Sequence, residues 1–485
     1  MTIAPPEPTT ASAVDDILAS TAAAANVYRT WARADRARLL RAIADELDAS
    51  VENLIPIAQD ETRLPEGRLR GELKRTTFQL RLFAETVESG AYLDVRIDEA
   101  DADWPMGAPR PDLRRTKRPL GPVLVFSASN FPFAFSTAGG DTASALAAGC
   151  SVVVKAHSGH PRLTEETGAA VLRACAEAGA PEGVFAVIVG TESGRLAVQD
   201  PRIKAAGFTG SIAGGRALYD LANARPDPIP FYGELGSNNP VFVTAAADAA
   251  RGSQIAEEYI GSFTLGAGQF CTKPGTLIVP TGSHVLAALR EAELPQGAEM
   301  LNDGIRSGYV AAVQELQTHG VETVNSGSAP FSENAPDPII HRIDAAEVLS
   351  RPGDLLGECF GPSTLVIEYD DAAQLSALAR AYDGQLTASL QAEGDEAEVP
   401  ELLDALAEVA GRVLFNQWPT GVSVTYAQQH GGPYPASTAS GTTSVGTAAI
   451  ERFLRPVAYQ GFPDHLLPGE LVSGAAVEQT INGQR

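Results

Sequence analysis

Thiols are scarce in this chain. It carries four cysteines among 485 residues, Cys150, Cys175, Cys271 and Cys359, and no two share a CxxC spacing. That suggests neither a disulfide framework nor a cysteine-built zinc site, so four free thiols and no bound metal are expected. Positive charge is also short: 36 Lys and Arg stand against 60 Asp and Glu, for a net charge of −24. A field of that sign argues against nucleic acid or an anionic membrane as partner. It would oppose an anionic substrate too, unless a local basic or hydrogen-bonding patch outweighs it. Long apolar runs are missing: the uncharged stretch from Pro119 to Gly140 is broken by Pro122, Asn130 and Pro132, and reads as a buried strand and loop. The N-terminal MTIAPPEPTTASAVDD lacks the basic region and apolar core of a secretory signal, which leads to the expectation of a cytoplasmic protein.

What is present suits a soluble α/β protein of more than one domain. From Ser12 to Gly90, apolar residues recur at helical spacing, as in RLLRAIADELDASVENLIPIA. AYLDVRIDEA then alternates as a strand does, and PRPDLRRTKRPLG reads as an extended arm or hairpin. Beyond Gly121 short apolar runs, PVLVF, SVVVK, VFAVIVG and IKAAGFTG, alternate with helical stretches. That pattern predicts right-handed βαβ units and a parallel, doubly wound sheet. PVFV, GTLIVP, STLVIEY, LTASLQA and RVLFN predict a second α/β domain from about Glu234 to Tyr434, and FLRPVAYQGFP a final strand.

Several segments carry residues suited to chemistry. In GSFTLGAGQFCTKPG the glycines let the backbone come close to a ligand at Cys271. In FYGELGSNNP, Glu234 sits between glycines at a strand end, where a carboxylate can act as general base. Asn130 in SNFPFAF and Lys155 in VVVKAHSGHP both follow parallel strands, the usual exit toward a ligand in open α/β sheets. Gly210 and Ser211 in GFTGSIAGGRAL open a helix whose first amides could face a phosphate, although the motif is not GxGxxG. Each has a plainer competitor: a buried thiol, a solvated glutamate, a turn asparagine, a surface lysine, a tight connection.

SNFP, VVVKAHSGHP, GFTGS, ELGSNNP, GQFCTKPG and ECFGP occur in the order and approximate spacing found in aldehyde dehydrogenases. The chain resembles that family from ETRLPEGRLRGE through HGGPYPAS to SVGTAAIERFLRPVAYQ, which is nearly its whole length. The resemblance implies the aldehyde dehydrogenase fold: a Rossmann-like cofactor domain (1–98 and 120–233), an α/β catalytic domain (234–435), and a small β oligomerisation arm with a C-terminal strand (99–119 and 436–485). It implies that Cys271 attacks the aldehyde, that Asn130 and the Cys271 N–H hold the oxyanion, and that Glu234 activates the water that hydrolyses the thioester. Lys155, Gly210, Ser211, Gly215, Leu235, Glu358 and Phe360 become cofactor contacts, with Glu358 on the nicotinamide ribose and Phe360 beside the nicotinamide. Homodimers or homotetramers are expected through the arm.

Members that prefer NAD commonly carry a glutamate three residues after the lysine, and here that position is Ser158. Serine removes the repulsion of a 2′-phosphate, so NADP is expected, with NAD as the weaker alternative. Arg195 is a candidate second phosphate contact, against the plainer reading of a solvated helix arginine. The closing segments are similar to the branch acting on α-ketoglutaric semialdehyde (2,5-dioxopentanoate), an intermediate of sugar-acid catabolism. A branch acting on long-chain aliphatic aldehydes stays open, with Phe133, Phe135, Phe270 and Trp418 as candidate pocket walls. A non-enzymatic structural relative is disfavoured, because Cys271, Glu234 and Asn130 are all present. No residue stands out for a substrate carboxylate: Arg110, Arg114 and Arg115 lie in the arm, and Ser423, Thr425 and Gln428 have no stronger warrant.

Overall fold

The computed structural model describes residues 6–327 and 334–484. The start of the N-terminal segment read above therefore lies outside the described residues. The expected helical region resolves into four helices, Ala11–Tyr28, Arg33–Ala49, Val51–Thr62 and Glu66–Ser89. Leu39, Leu40, Ile43 and Leu47 form the buried stripe of the second, and Leu69, Leu73, Leu80 and Phe83 that of the fourth. Gly90 ends the fourth helix in the left-handed conformation (φ 73°), which a glycine adopts without strain.

The first α/β unit is a five-stranded, all-parallel sheet. Its strands lie in the order Phe185–Ile188, Val152–Lys155, Val123–Phe126, Ala205–Thr209, Phe231–Glu234. Val123–Phe126 comes first in the chain, so the winding reverses between it and Ala205–Thr209. In open α/β sheets a crevice forms beyond the carboxyl ends of the strands at such a reversal. The near-continuous burial of VLVF and VVVK follows from helices covering both faces.

The second unit is a seven-stranded sheet containing Val241–Val243, Thr276–Pro280, Ser363–Tyr369, Gln385–Gln391 and Ala410–Phe415, as expected, plus Ile339–Asp344 and an antiparallel edge strand Glu322–Ser326. A four-stranded sheet joins Leu454–Gln460, Leu113–Pro119, Val95–Asp98 and Gln479–Ile481.

That small sheet moves two expected boundaries. Val95–Asp98 pairs with Leu113–Pro119, so the arm begins before residue 99. The short helix Thr447–Phe453 packs on the helix Gly140–Ala148 of the first unit, and the Leu235 N–H donates to the Ala436 carbonyl, so residues 436–453 belong with the body. Among the described residues no helix is long and apolar enough to cross a membrane.

Candidate active site

The two sheets present opposite ends to one crevice. From the five-stranded sheet come carboxyl ends: Asn130 follows Val123–Phe126, Gly210 and Ser211 follow Ala205–Thr209, and Glu234 closes the last strand. From the seven-stranded sheet come amino ends: Cys271 precedes Thr276–Pro280, and Glu358 and Phe360 precede Ser363–Tyr369. All seven line a single cavity of about 470 Å³, together with Leu235, His157, Tyr309 and His430.

A tight turn delivers Cys271. Gly266, Ala267 and Gly268 all have positive φ, and a Cβ on Gly268 would lie 2.2 Å from the Gly361 carbonyl oxygen. Only glycine fits there. Asn239 Nδ2 holds the next turn, donating to the carbonyls of Cys271 (2.8 Å) and Lys273 (3.0 Å). Asn130 Nδ2 donates to the Gln269 carbonyl at 3.1 Å, which ties the asparagine to the cysteine loop and leaves its second amide hydrogen free of that bond.

Burial dominates the electrostatics. It pushes the Cys271 thiol up to about 12; the charges of Glu234 and Glu358 add to this, and those of Arg75 and Arg412 oppose it. Sγ of Cys271 lies 3.7 Å from Nε2 of His430. Burial, then the charges of Arg412 and Arg75, push His430 down to about 3. The resting pair is therefore a thiol beside a neutral imidazole. Glu234 is raised well above the usual carboxylate range by burial, with Asp141 adding to the rise while Arg452 and a hydrogen bond with Ser437 oppose it. Its Oε2 is buried without a partner.

Another part of the cavity wall offers donors suited to a phosphate. Ser211 caps the helix Ile212–Asn223, its side chain accepting the Gly214 N–H at 3.2 Å. The first amides of that helix have no partner within it, and with the helix dipole they favour a phosphate. A Cβ on Gly236 would lie 2.4 Å from Oε2 of Glu358, so glycine there lets the glutamate reach the cavity. Burial raises Glu358 to about 7, against the pull of the Lys273 charge and a hydrogen bond from the Ser237 backbone.

The family model for the aldehyde dehydrogenase family matches residues 2–303. The chain belongs to the aldehyde dehydrogenase family. It is an oxidoreductase that oxidises aldehydes, and its family uses NAD(P). It is 47% identical to α-ketoglutaric semialdehyde dehydrogenase 2 of Azospirillum brasilense, over 91% of this chain and 86% of that one. It is 46% identical to the α-ketoglutaric semialdehyde dehydrogenase of Acinetobacter baylyi, over 94% of this chain and 88% of that one. Among solved structures, 3,6-anhydro-L-galactose dehydrogenase superposes with a TM-score of 0.78 at 22% identity, covering 93% of this chain and 92% of the other; at that identity the likeness concerns the fold alone.

Some expected site residues fall elsewhere in this aldehyde dehydrogenase. Phe133 is buried in the large core beside the four helices, its N–H held by Glu72 Oε1, so it is not a pocket wall. Trp418 packs on Tyr259 and donates from Nε1 to Glu258, outside the cavity. Phe135 and Phe270 stay close to the site, each edge-on to Phe131, and Phe135 also neighbours His430. Arg195 is half exposed and lies 3.7 Å from Glu192, not on the cavity wall. Ser158 is exposed, and Lys155 is partly buried at its strand end, its ammonium making no hydrogen bond or ion pair among the described residues. Gly215 serves packing: a Cβ there would lie 2.1 Å from Leu235 Cδ2. In the arm, Arg114 pairs with Asp112 and Asp464, and Arg115 with Asp94.

Sequence reasoning missed His430, His157, Tyr309, Arg75 and Arg412. His430 stood inside the quoted HGGPYPAS, but nothing local marks it as facing a thiol that lies far away in the chain.

Proposed function

We propose that this aldehyde dehydrogenase oxidises α-ketoglutaric semialdehyde to 2-oxoglutarate, with NADP preferred over NAD. The observation that carries the substrate is the 46–47% identity to two α-ketoglutaric semialdehyde dehydrogenases across nearly the whole chain. The reading is supported by groups around the cavity that suit the chemistry.

Cys271 is the nucleophile. His430 Nε2, 3.7 Å from Sγ, accepts the thiol proton as sulfur adds to the aldehyde carbon. The oxyanion takes hydrogen bonds from the Asn130 amide and the Cys271 N–H. Lys155, Gly210, Ser211, Leu235, Glu358 and Phe360 would hold the nicotinamide cofactor, which when bound supplies the hydride acceptor. Glu234 then takes a proton from the water that cleaves the Cys271 thioester. A CoA-acylating relative would need no such base, so Glu234 supports hydrolysis. Preference for NADP is supported by Ser158, where no carboxylate stands to repel a 2′-phosphate.

In this reading the five-stranded sheet serves the cofactor and the seven-stranded sheet carries the nucleophile. Leu454–Gln460 is an edge strand of the small sheet, which supports pairing with a second copy, because exposed edges seek partners. Comparing kcat/KM for α-ketoglutaric semialdehyde, succinic semialdehyde and a long-chain aldehyde, each with NADP and NAD, tests the substrate and cofactor together. A preference for the long-chain aldehyde would overturn the substrate reading.

A further inference from the structure

The proposed substrate carries a carboxylate at the end remote from the aldehyde, and it must approach a protein of net charge −24. Something near Cys271 has to reward that charge. Cys271 and His430 both line the cavity, and two cations that the catalytic steps leave unused act on both groups.

Arg75 projects from the helix Glu66–Ser89, and its guanidinium lies 5.2 Å from the centre of the Phe135 ring. That ring is 6.1 Å from the His430 ring, whose Nε2 is 3.7 Å from Cys271 Sγ. The Arg75 guanidinium makes no hydrogen bond or ion pair among the described residues. Its acidic neighbour, Glu72, spends Oε1 on the N–H groups of Phe133 and Ala134.

Arg412 comes from the strand Ala410–Phe415, on a different sheet and over three hundred residues later. Its neighbour Gly411 packs so closely on the loop that carries His430 that a Cβ there would lie 1.8 Å from the Gly431 carbonyl oxygen. Two of its nitrogens donate to the carbonyls of Gly421 and Pro419, and Nε is buried without a partner. No carboxylate pairs with it among the described residues. Val422, which follows Gly421, packs in the same small cluster as Phe135. The charges of both arginines are felt at Cys271 and at His430.

Glu72 acts on Arg75 through space without bonding it, and mostly buried arginines with no bonded counter-ion are costly, so a structure that keeps two of them where their charges reach a reactive thiol offers a seat for an anion. Phe135, Val422 and Val424 supply an apolar wall that suits a short methylene chain. We propose that Arg75 and Arg412 form the seat for the distal carboxylate of the substrate and so determine specificity for an acidic semialdehyde. This rests on the substrate reading above and names the residues that enforce it. It also answers the electrostatic requirement set by the acidic composition: the opposing patch is two side chains, brought together from distant segments.

The test compares α-ketoglutaric semialdehyde with pentanal, an uncharged aldehyde of equal length, in the full-length enzyme and in Arg75→Met and Arg412→Met. Each substitution should lower kcat/KM for the acidic substrate about 10- to 100-fold more than for pentanal, mainly through KM, with Arg→Lys recovering part of the difference. Because the arginines also favour the Cys271 thiolate, both substrates should slow somewhat, and the ratio between them is the decisive quantity. A ratio unchanged by both substitutions overturns the seat while leaving the substrate reading intact. A wild-type enzyme that prefers pentanal overturns the substrate reading itself. Binding of 2-oxoglutarate, measured by calorimetry, needs no turnover: it should weaken in both variants, and unchanged affinity counts against the seat.

Discussion

Sγ of Cys271 faces Nε2 of His430 at 3.7 Å, and burial holds both groups in their neutral forms. Thiolate is then the minor species at neutral pH. Alkylation of Cys271 by iodoacetamide should accelerate steadily from neutral into alkaline pH, because the nucleophile is the deprotonated form of a group raised to about 12. A plateau near neutrality would show a thiolate already formed at rest. His430→Phe should slow acylation roughly 100-fold while leaving NADP binding unchanged. Pre-steady-state absorbance of the reduced cofactor separates the two.

In the proposed mechanism Glu234 acts after the thioester has formed. Its carboxyl is raised well above 4.5, and the base is the ionised form, so deacylation-limited turnover should climb as pH rises through that elevated range. Glu234→Gln should give one burst of reduced cofactor and then turn over about 100-fold or more slowly, with an acyl adduct on Cys271 visible by mass spectrometry. Steady turnover without the adduct would remove Glu234 from the hydrolytic step.

Asn130 is tethered to the cysteine loop through the Gln269 carbonyl at 3.1 Å. Asn130→Ala should cost about 100- to 1,000-fold in kcat with little change in cofactor affinity. A loss confined to KM would mean that the side chain only orders the loop.

Ser158→Glu should shift the ratio of kcat/KM values from NADP toward NAD, since a carboxylate repels the 2′-phosphate and can bond ribose hydroxyls. An unchanged ratio would move the determinant of cofactor choice elsewhere on the exposed rim.

Beneath Glu234 lies a charge pair that bears on stability. Arg452 is fully buried, pairs with Asp141 at 2.7 Å and rests over the rings of Phe453 and Tyr232. Arg452→Met strands the Asp141 carboxylate near Glu234 and should destabilise the fold by about 3–5 kcal/mol, read from the urea midpoint. Restoration in the double variant with Asp141→Asn would show that the stranded charge carries the cost.

The residues legible in the sequence sit at strand ends. Asn130 and Gly210 follow parallel strands, Glu234 closes one, and Cys271 and Glu358 precede others, so local pattern and family order suffice to bring them to one crevice. Aromatic character alone misled at Phe133 and Trp418. A ring near a motif is as easily turned into the core, and its direction depends on a turn that no periodicity records. His430, Arg75 and Arg412 were illegible for another reason. They come from a C-terminal loop, an N-terminal helix and a strand of the second sheet, and only the packing of Gly411 against Gly431 and of Arg75 on Phe135 makes them neighbours.

If the two arginines seat the substrate carboxylate as proposed, their contrast with the acidic composition should make the enzyme responsive to ionic strength. Salt screens exposed charges over about 10 Å at 0.1 M but reaches mostly buried ones poorly. Moderate salt should therefore weaken the long-range repulsion of an anionic aldehyde more than its attraction at close range. Its KM should fall, while that of a neutral aldehyde stays level. The acidic surface is then a barrier whose height the medium sets, around a well whose depth the protein keeps for itself.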